Sequence, residues 1–150
     1  MNELGDLLAI IELINRFGMH ADWREWEDLR MLLKDEITSD YSDLYGEKQQ
    51  VKADDLIEQW KNFLGSMEAT QHMITNHVID LNGDRATCRA HFRAQHILHN
   101  RNGGSHWMPS GTYLFELEKV DRNWKISSII LKMLWSEGNQ NLLTLANQKK

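Results

Sequence analysis

Four side chains in this 150-residue sequence have the chemistry to move protons: Asp22, Tyr41, His72 and His96. An imidazole that titrates near neutrality can take up and return a proton. A carboxylate beside it fixes its tautomer and stabilises its charged form. Together they suffice to abstract a proton next to a carbonyl or to expel a neighbouring leaving group. The Tyr41 phenol could donate a hydrogen bond to a carbonyl or a departing oxygen. Each residue also has a structural reading. Tyr41 could simply pack, and a lone inward histidine is usually a satisfied core residue. Asp22 reads as a helix N-cap, with Glu25 three residues on completing a capping box.

Whether the two histidines meet depends on one turn. From Ala69 onward the apolar period is two, giving strands over about 71–80 and 85–99 around Asn82-Gly83. A two-residue Asn82-Gly83 loop would put His72 and His96 on opposite faces of the hairpin. A three-residue Leu81-Asn82-Gly83 loop would put them on the same face, with Gly83 left-handed in a type I turn and G1 bulge. The second choice groups them with Cys88, Ala90, Phe92 and Ala94, a small apolar face suited to a pocket. Arg89, His91, Arg93 and Gln95 then form a polar face for solvent or a subunit contact. His77 takes the parity opposite to His72. His99 and His106 flank a polar, glycine-bearing loop at 100–104.

The elements that must hold these residues read as helices followed by a meander. Leu4, Leu7, Leu8, Ile11 and Ile14 recur at helical spacing behind Asn2 as N-cap, with Gly18 a natural stop. A second helix is expected over about 23–33, burying Trp26, Leu29 and Leu33, with a break at 38–46. A third covers about 53–64. Two further strands, about 111–120 and 124–135, are joined by Asp121-Arg122-Asn123. Helices first and strands after predict the α+β class. With no repeat or linker, one domain is expected over 1–150, its core at about 4–135 and a tail at about 136–150.

Composition narrows the function. A net charge of −5 with scattered basic residues argues against a nucleic-acid surface; only Lys149-Lys150 cluster, as a fraying tail. Cys88 is alone, so no internal disulfide forms and a reducing compartment is expected. Glu3 and Asp6 replace the basic start of a signal peptide, and no apolar run is long enough for a bilayer. The expected location is the cytoplasm. No HExxH, His-x-His or cysteine-rich spacing suggests a metal. No phosphate loop, GxSxG or CxxC suggests another cofactor, so none is expected.

Five strings resemble the SnoaL-like branch of the nuclear-transport-factor-2-like superfamily: residues 9–17 (AIIELINRF), 22–26 (DWREW), 70–76 (TQHMITN), 82–87 (NGDRAT) and 121–126 (DRNWKI). Their order and spacing extend the resemblance over about 4–135. It implies a cone-shaped α+β barrel, a curved antiparallel sheet wrapped around helices to leave a deep apolar cone. The chain is most similar to the branch of scytalone dehydratase, bile-acid 7α-dehydratase and hexachlorocyclohexane dehydrochlorinase. There an Asp after the first helix works with a sheet histidine. Asp22 matches that Asp. His72 matches the histidine of the dehydrochlorinase, and His96 that of scytalone dehydratase after a one-residue gap. Tyr41 matches an active-site tyrosine of scytalone dehydratase. The match departs at Phe17 and Ala21, where tyrosines stand in relatives, and at Gly111 and Tyr113, in place of Ser and Asn.

The resemblance and the residues together imply a cofactor-independent lyase, dehydratase-like, or an isomerase for a small hydrophobic cyclic substrate. Phe17, Trp23, Met73, Phe92, Met108, Tyr113 and Trp135 would supply the walls. The alternative is a non-catalytic binding or assembly subunit, like the β subunit of a ring-hydroxylating dioxygenase. Either way a homo-oligomer, dimer or trimer, is expected through the polar sheet face.

Overall fold

The structure is a computed structural model that describes residues 2–148. The Lys149-Lys150 pair lies outside them.

Helix α1 runs over Glu3–Asp22, and Asn2 caps it by accepting the Gly5 N–H at 2.8 Å. It buries Ile10, Leu13, Ile14, Phe17 and Ala21 along one stripe. Gly18 does not stop it. A Cβ there would lie 3.3 Å from Ile74 Cδ1 and 3.5 Å from His72 Cβ, so the glycine lets the helix lie close against the strand that carries His72.

Helix α2, Trp26–Met31, is shorter than expected. Leu33 does not end it but begins strand β1, Leu33–Asp40, which occupies part of the expected break. Short β2, Gln49–Lys52, pairs antiparallel with β1 and leads into α3, Ala53–Leu64. Strands β3, Ala69–Asn82, β4, Arg85–Ile97, β5, His106–Val120, and β6, Asn123–Gly138, form the meander. The sheet order is β2-β1-β6-β5-β4-β3. The pairing of β1 with β6 is parallel, so the sheet is mixed rather than wholly antiparallel. Helices α1 and α3 cover its inner face, with Phe17, Trp60 and Phe115 in one core cluster. This is the α+β cone expected.

Residues 136–148 form defined elements rather than a tail. Strand β6 continues to Gly138, and helix α4, Leu142–Gln148, follows. Leu142 and Ala146 are fully buried with Met67, Leu98 and Trp107 in a second cluster.

The β3–β4 hairpin reaches the favoured parity by an unexpected route. Asn82 pairs with Arg85, so the turn is two residues, Gly83-Asp84, with Gly83 at φ +63°. Taken alone, that turn would separate His72 from His96. A bulge reverses it: Thr75 pairs with His91 and Val78 with Arg89, so Asn76 and His77 together oppose Ala90. Asn76 takes the left-handed conformation, φ +59°, that asparagine tolerates. The two histidines share the inner face with buried Cys88, Ala90, Phe92 and Ala94, while Arg89, His91 and Arg93 are exposed. The bulge also corrects His77, which turns to the inner side and keeps a buried Nε2 without a partner among the described residues.

Candidate active site

Asp22 is the last residue of α1, not a cap. Glu25 takes the N-cap position of α2 and makes no side-chain cap bond, so the capping box does not form. The Asp22 carboxylate points across to β3 instead. Its Oδ2 accepts the His72 backbone N–H at 2.7 Å. Its Oδ1 accepts the Thr70 hydroxyl at 3.0 Å and lies 2.6 Å from His72 Nδ1. A carboxylate only accepts when ionised, so Nδ1 donates to it, and in the neutral imidazole the lone pair is then on Nε2. Both side chains are nearly buried, at 9% and 13% exposure.

His96 is beside His72, with ring centroids 6.1 Å apart and planes at 70°. It is 3% exposed. Its Nδ1 is 2.8 Å from the Ala94 carbonyl and must donate to it. Burial, and next the neighbouring His72, push its pKa down to about 4. His96 is thus neutral at physiological pH.

Two phenols complete the inner surface. The Tyr41 and Tyr113 phenols lie beside each other, and burial drives both well above the ordinary tyrosine value. They stay protonated and can donate. Tyr113 also lies 4.6 Å from the Phe92 ring, and Tyr41 meets Trp60 edge-on at 6.3 Å.

Tyr41, His72, His96 and Tyr113 line an apolar cavity of about 40 Å³, whereas Asp22 does not line it and reaches it only through His72. Of the expected residues, Phe17, Tyr41, His72, Phe92, His96 and Tyr113 face it. Four expected wall residues do not. Trp23, just past the end of α1, is 72% exposed. Met73 alternates with inward His72 and is 56% exposed. Met108 alternates with buried Trp107 and Pro109. Trp135 sits on the outer face, where the Arg93 guanidinium stacks on its ring at 5.1 Å. The walls are supplied instead by Trp60, Phe63, Leu64 and Pro109. The spacing of α3 marks Trp60 and Phe63 as apolar-face residues, the one signal by which they could have been found. Thr70 and Arg24 give no such signal.

Among the described residues one cluster brings metal-ligating atoms within 4.8 Å of one another: His20, Glu25 and Asp28. None of the three lines the cavity. Also among the described residues, no helix is long and apolar enough to cross a membrane.

The family pattern of the SnoaL-like domain matches residues 2–130. Among solved structures, the Kfla4162 protein from Kribbella flavida is 32% identical, with 95% of this chain and 99% of that one covered, at a TM-score of 0.90. Two others share the fold at lower identity. One is named as a candidate scytalone dehydratase from Novosphingobium aromaticivorans (20% identity, 91% and 89% coverage, TM-score 0.78). The other is the hexachlorocyclohexane dehydrochlorinase LinA-type3 from Novosphingobium barchaimii (18%, 91% and 91%, 0.74). No curated protein matches the chain.

Proposed function

The chain belongs to the SnoaL-like domain family, and on that premise we propose that it is a cofactor-independent lyase of the dehydratase type acting on a small hydrophobic cyclic molecule. An isomerase would use the same first step. One observation carries the reading: the 2.6 Å contact of His72 Nδ1 with Asp22 Oδ1, which reserves Nε2 as a base at the cavity.

His72 Nε2 takes a proton from the carbon beside a carbonyl. The electron pair moves into an enolate, whose oxygen receives a hydrogen bond from the Tyr41–Tyr113 pair. Asp22 stabilises the imidazolium, with no need to take the proton itself. The enolate then expels a hydroxyl from the adjacent carbon, and the imidazolium returns its proton to the leaving oxygen as water forms. His96, neutral and buried, is a fixed group of the cavity wall rather than the base. An apolar cavity of about 150 Å³ holds benzene, so a cyclic substrate enters this one, of about 40 Å³, by displacing side chains.

A panel of small cyclic β-hydroxyketones tests the reading by NMR in D₂O. Wild-type protein should speed loss of the proton beside the carbonyl, and His72→Gln should abolish that acceleration. Equal rates for the two proteins would sink it.

The rival, a binding or assembly subunit, draws on the outer sheet face, where Met73, Leu134 and Trp135 are exposed. We read that face as a homo-oligomer contact in either case, and the described elements as one domain. The lone Cys88 and the net acidic charge fit a cytoplasmic protein. Sedimentation of wild type against Trp135→Glu tests the contact; an unchanged monomeric species would remove it.

A further inference from the structure

We propose that Arg24, acting through Thr70, is a positioning residue for the Asp22–His72 pair. The inference rests on the proton-transfer reading of that pair, but its geometry is independent of any substrate.

The argument is one of donors and acceptors. A threonine hydroxyl has one proton and can send it to any acceptor in reach. Thr70 Oγ1 has two partners: Arg24 Nη1 at 2.8 Å and Asp22 Oδ1 at 3.0 Å. A guanidinium can only donate, so Thr70 must accept from Arg24. Its single proton is then committed to Asp22. The chain runs one way, from Arg24 to Thr70 to Asp22. Asp22 Oδ1 in turn fixes the proton of His72 on Nδ1. Thr70 is 8% exposed and lies on the inner face, two residues before His72 on the same strand, so little water competes for its hydroxyl.

Arg24 is held for this task at some cost. Its φ is +60°, a left-handed conformation that a non-glycine residue rarely adopts. That turn brings the side chain back over the end of α1. The same Nη1 also donates to the Ala21 carbonyl at 2.9 Å and approaches the Asp22 carbonyl at 3.4 Å. Arg24 therefore grips the backbone of the turn that presents Asp22 as well as the hydroxyl that orients its carboxylate. Capping of α1 alone would explain the carbonyl contacts but not the contact with Thr70.

The two roles separate experimentally. Thr70→Val keeps the shape and leaves the helix contacts of Arg24 intact. Arg24→Gly removes the guanidinium and suits the positive φ. In ¹⁵N-labelled protein, the ring nitrogen shifts of His72 report its tautomer directly. Wild type should show the Nδ1–H form. Both variants should show a mixture with the Nε2–H form, with thermal midpoints close to wild type. Turnover should fall about 10-fold or more at nearly constant KM, and Arg24→Lys, which keeps a donor, should recover part of it. The Arg24→Gly, Thr70→Val double variant should be no worse than the worse single one. An unmixed Nδ1–H tautomer in both variants would overturn the relay, whatever the turnover. If the tautomer responds but His72→Gln leaves proton abstraction unchanged, the relay stands and the enzymatic reading fails.

Discussion

His72 and His96 are 6.1 Å apart, ring to ring, yet only His72 touches a carboxylate. His96 is tied to a backbone carbonyl and held neutral. Two identical side chains on one face are thereby given different properties, and the difference predicts unequal roles. With a working substrate, His72→Gln and Asp22→Asn should each lower kcat by roughly 10²–10⁴-fold, the usual worth of general acid–base help. His96→Gln should act mainly on KM. Steady-state kinetics of the three variants decide this, and a larger kcat loss for His96→Gln than for His72→Gln would reverse the assignment.

The neutral state of His96 should be visible in stability. Its folded pKa, about 4, is below the ordinary 6.5 of an unfolded chain, so the unfolded state binds the proton more tightly. The contribution is complete above pH 6.5 and is lost as pH falls toward 4. Within that window the slope approaches about 1.4 kcal/mol per pH unit. His77, lowered by its own burial, adds with the same sign. Denaturant melts of wild type and His96→Gln between pH 4 and 7 should differ in slope there and run parallel above it.

Gly18 marks where α1 and β3 come closest. Replacing an interior helical glycine by alanine gains up to about 1 kcal/mol, and the added Cβ meets the movable tip of Ile74 at 3.3 Å and, at ordinary contact distances, His72 Cβ at 3.5 Å and the His72 carbonyl oxygen at 3.7 Å. Gly18→Ala should therefore be neutral to slightly stabilising. Gly18→Leu has no such room, should cost about 1–3 kcal/mol, and should push His72 away from Asp22. Thermal melts, with the His72 tautomer read by NMR, check both.

Helix α4 closes the end of the cone next to His96. Leu142 is fully buried against the cluster that holds Trp107, and the Trp107 ring lies 5.0 Å from His96. Leu142→Ala should cost about 2–5 kcal/mol. Removing 139–150 should open that end to water and let the His96 pKa climb from about 4 back toward 6.5. An NMR titration of His96 in the shortened protein tests this.

The helices with strong periodicity and the four-stranded meander could be read from sequence because their pairing is local. Strand β1 could not. Leu33 follows Trp26 and Leu29 at helical spacing, and Lys34-Asp35-Glu36 look like a solvated helix face. Parallel pairing with β6, some 90 residues away, together with short β2 on the other edge, makes Leu33–Asp40 a strand. The shared face of His72 and His96 follows from the parity of the sequence, but a different device produces it. The sequence favours a three-residue turn, whereas a two-residue turn and a bulge combine to give the same parity. Asp22 stood out as an acid, but its apparent capping role assumed that α1 ends near Gly18. Arg24 and Thr70 are ordinary residue types, and no periodicity links residues 46 positions apart.

The bulge at Asn76-His77 divides β3 into two lengths with independent phase. The part nearer Ala69 is locked to α1 through His72 and Asp22, while the part nearer Asn82 ends in the Gly83-Asp84 turn, where the Asp84 carbonyl accepts the Lys119 N–H of β5. A register change in the distal length would turn Ile79 and Leu81 away from the core they pack against, while the proximal length stays held by Asp22. A foreign loop grafted at the turn should therefore keep the strand register on both sides of it if the proton-transfer pair is to keep its alignment.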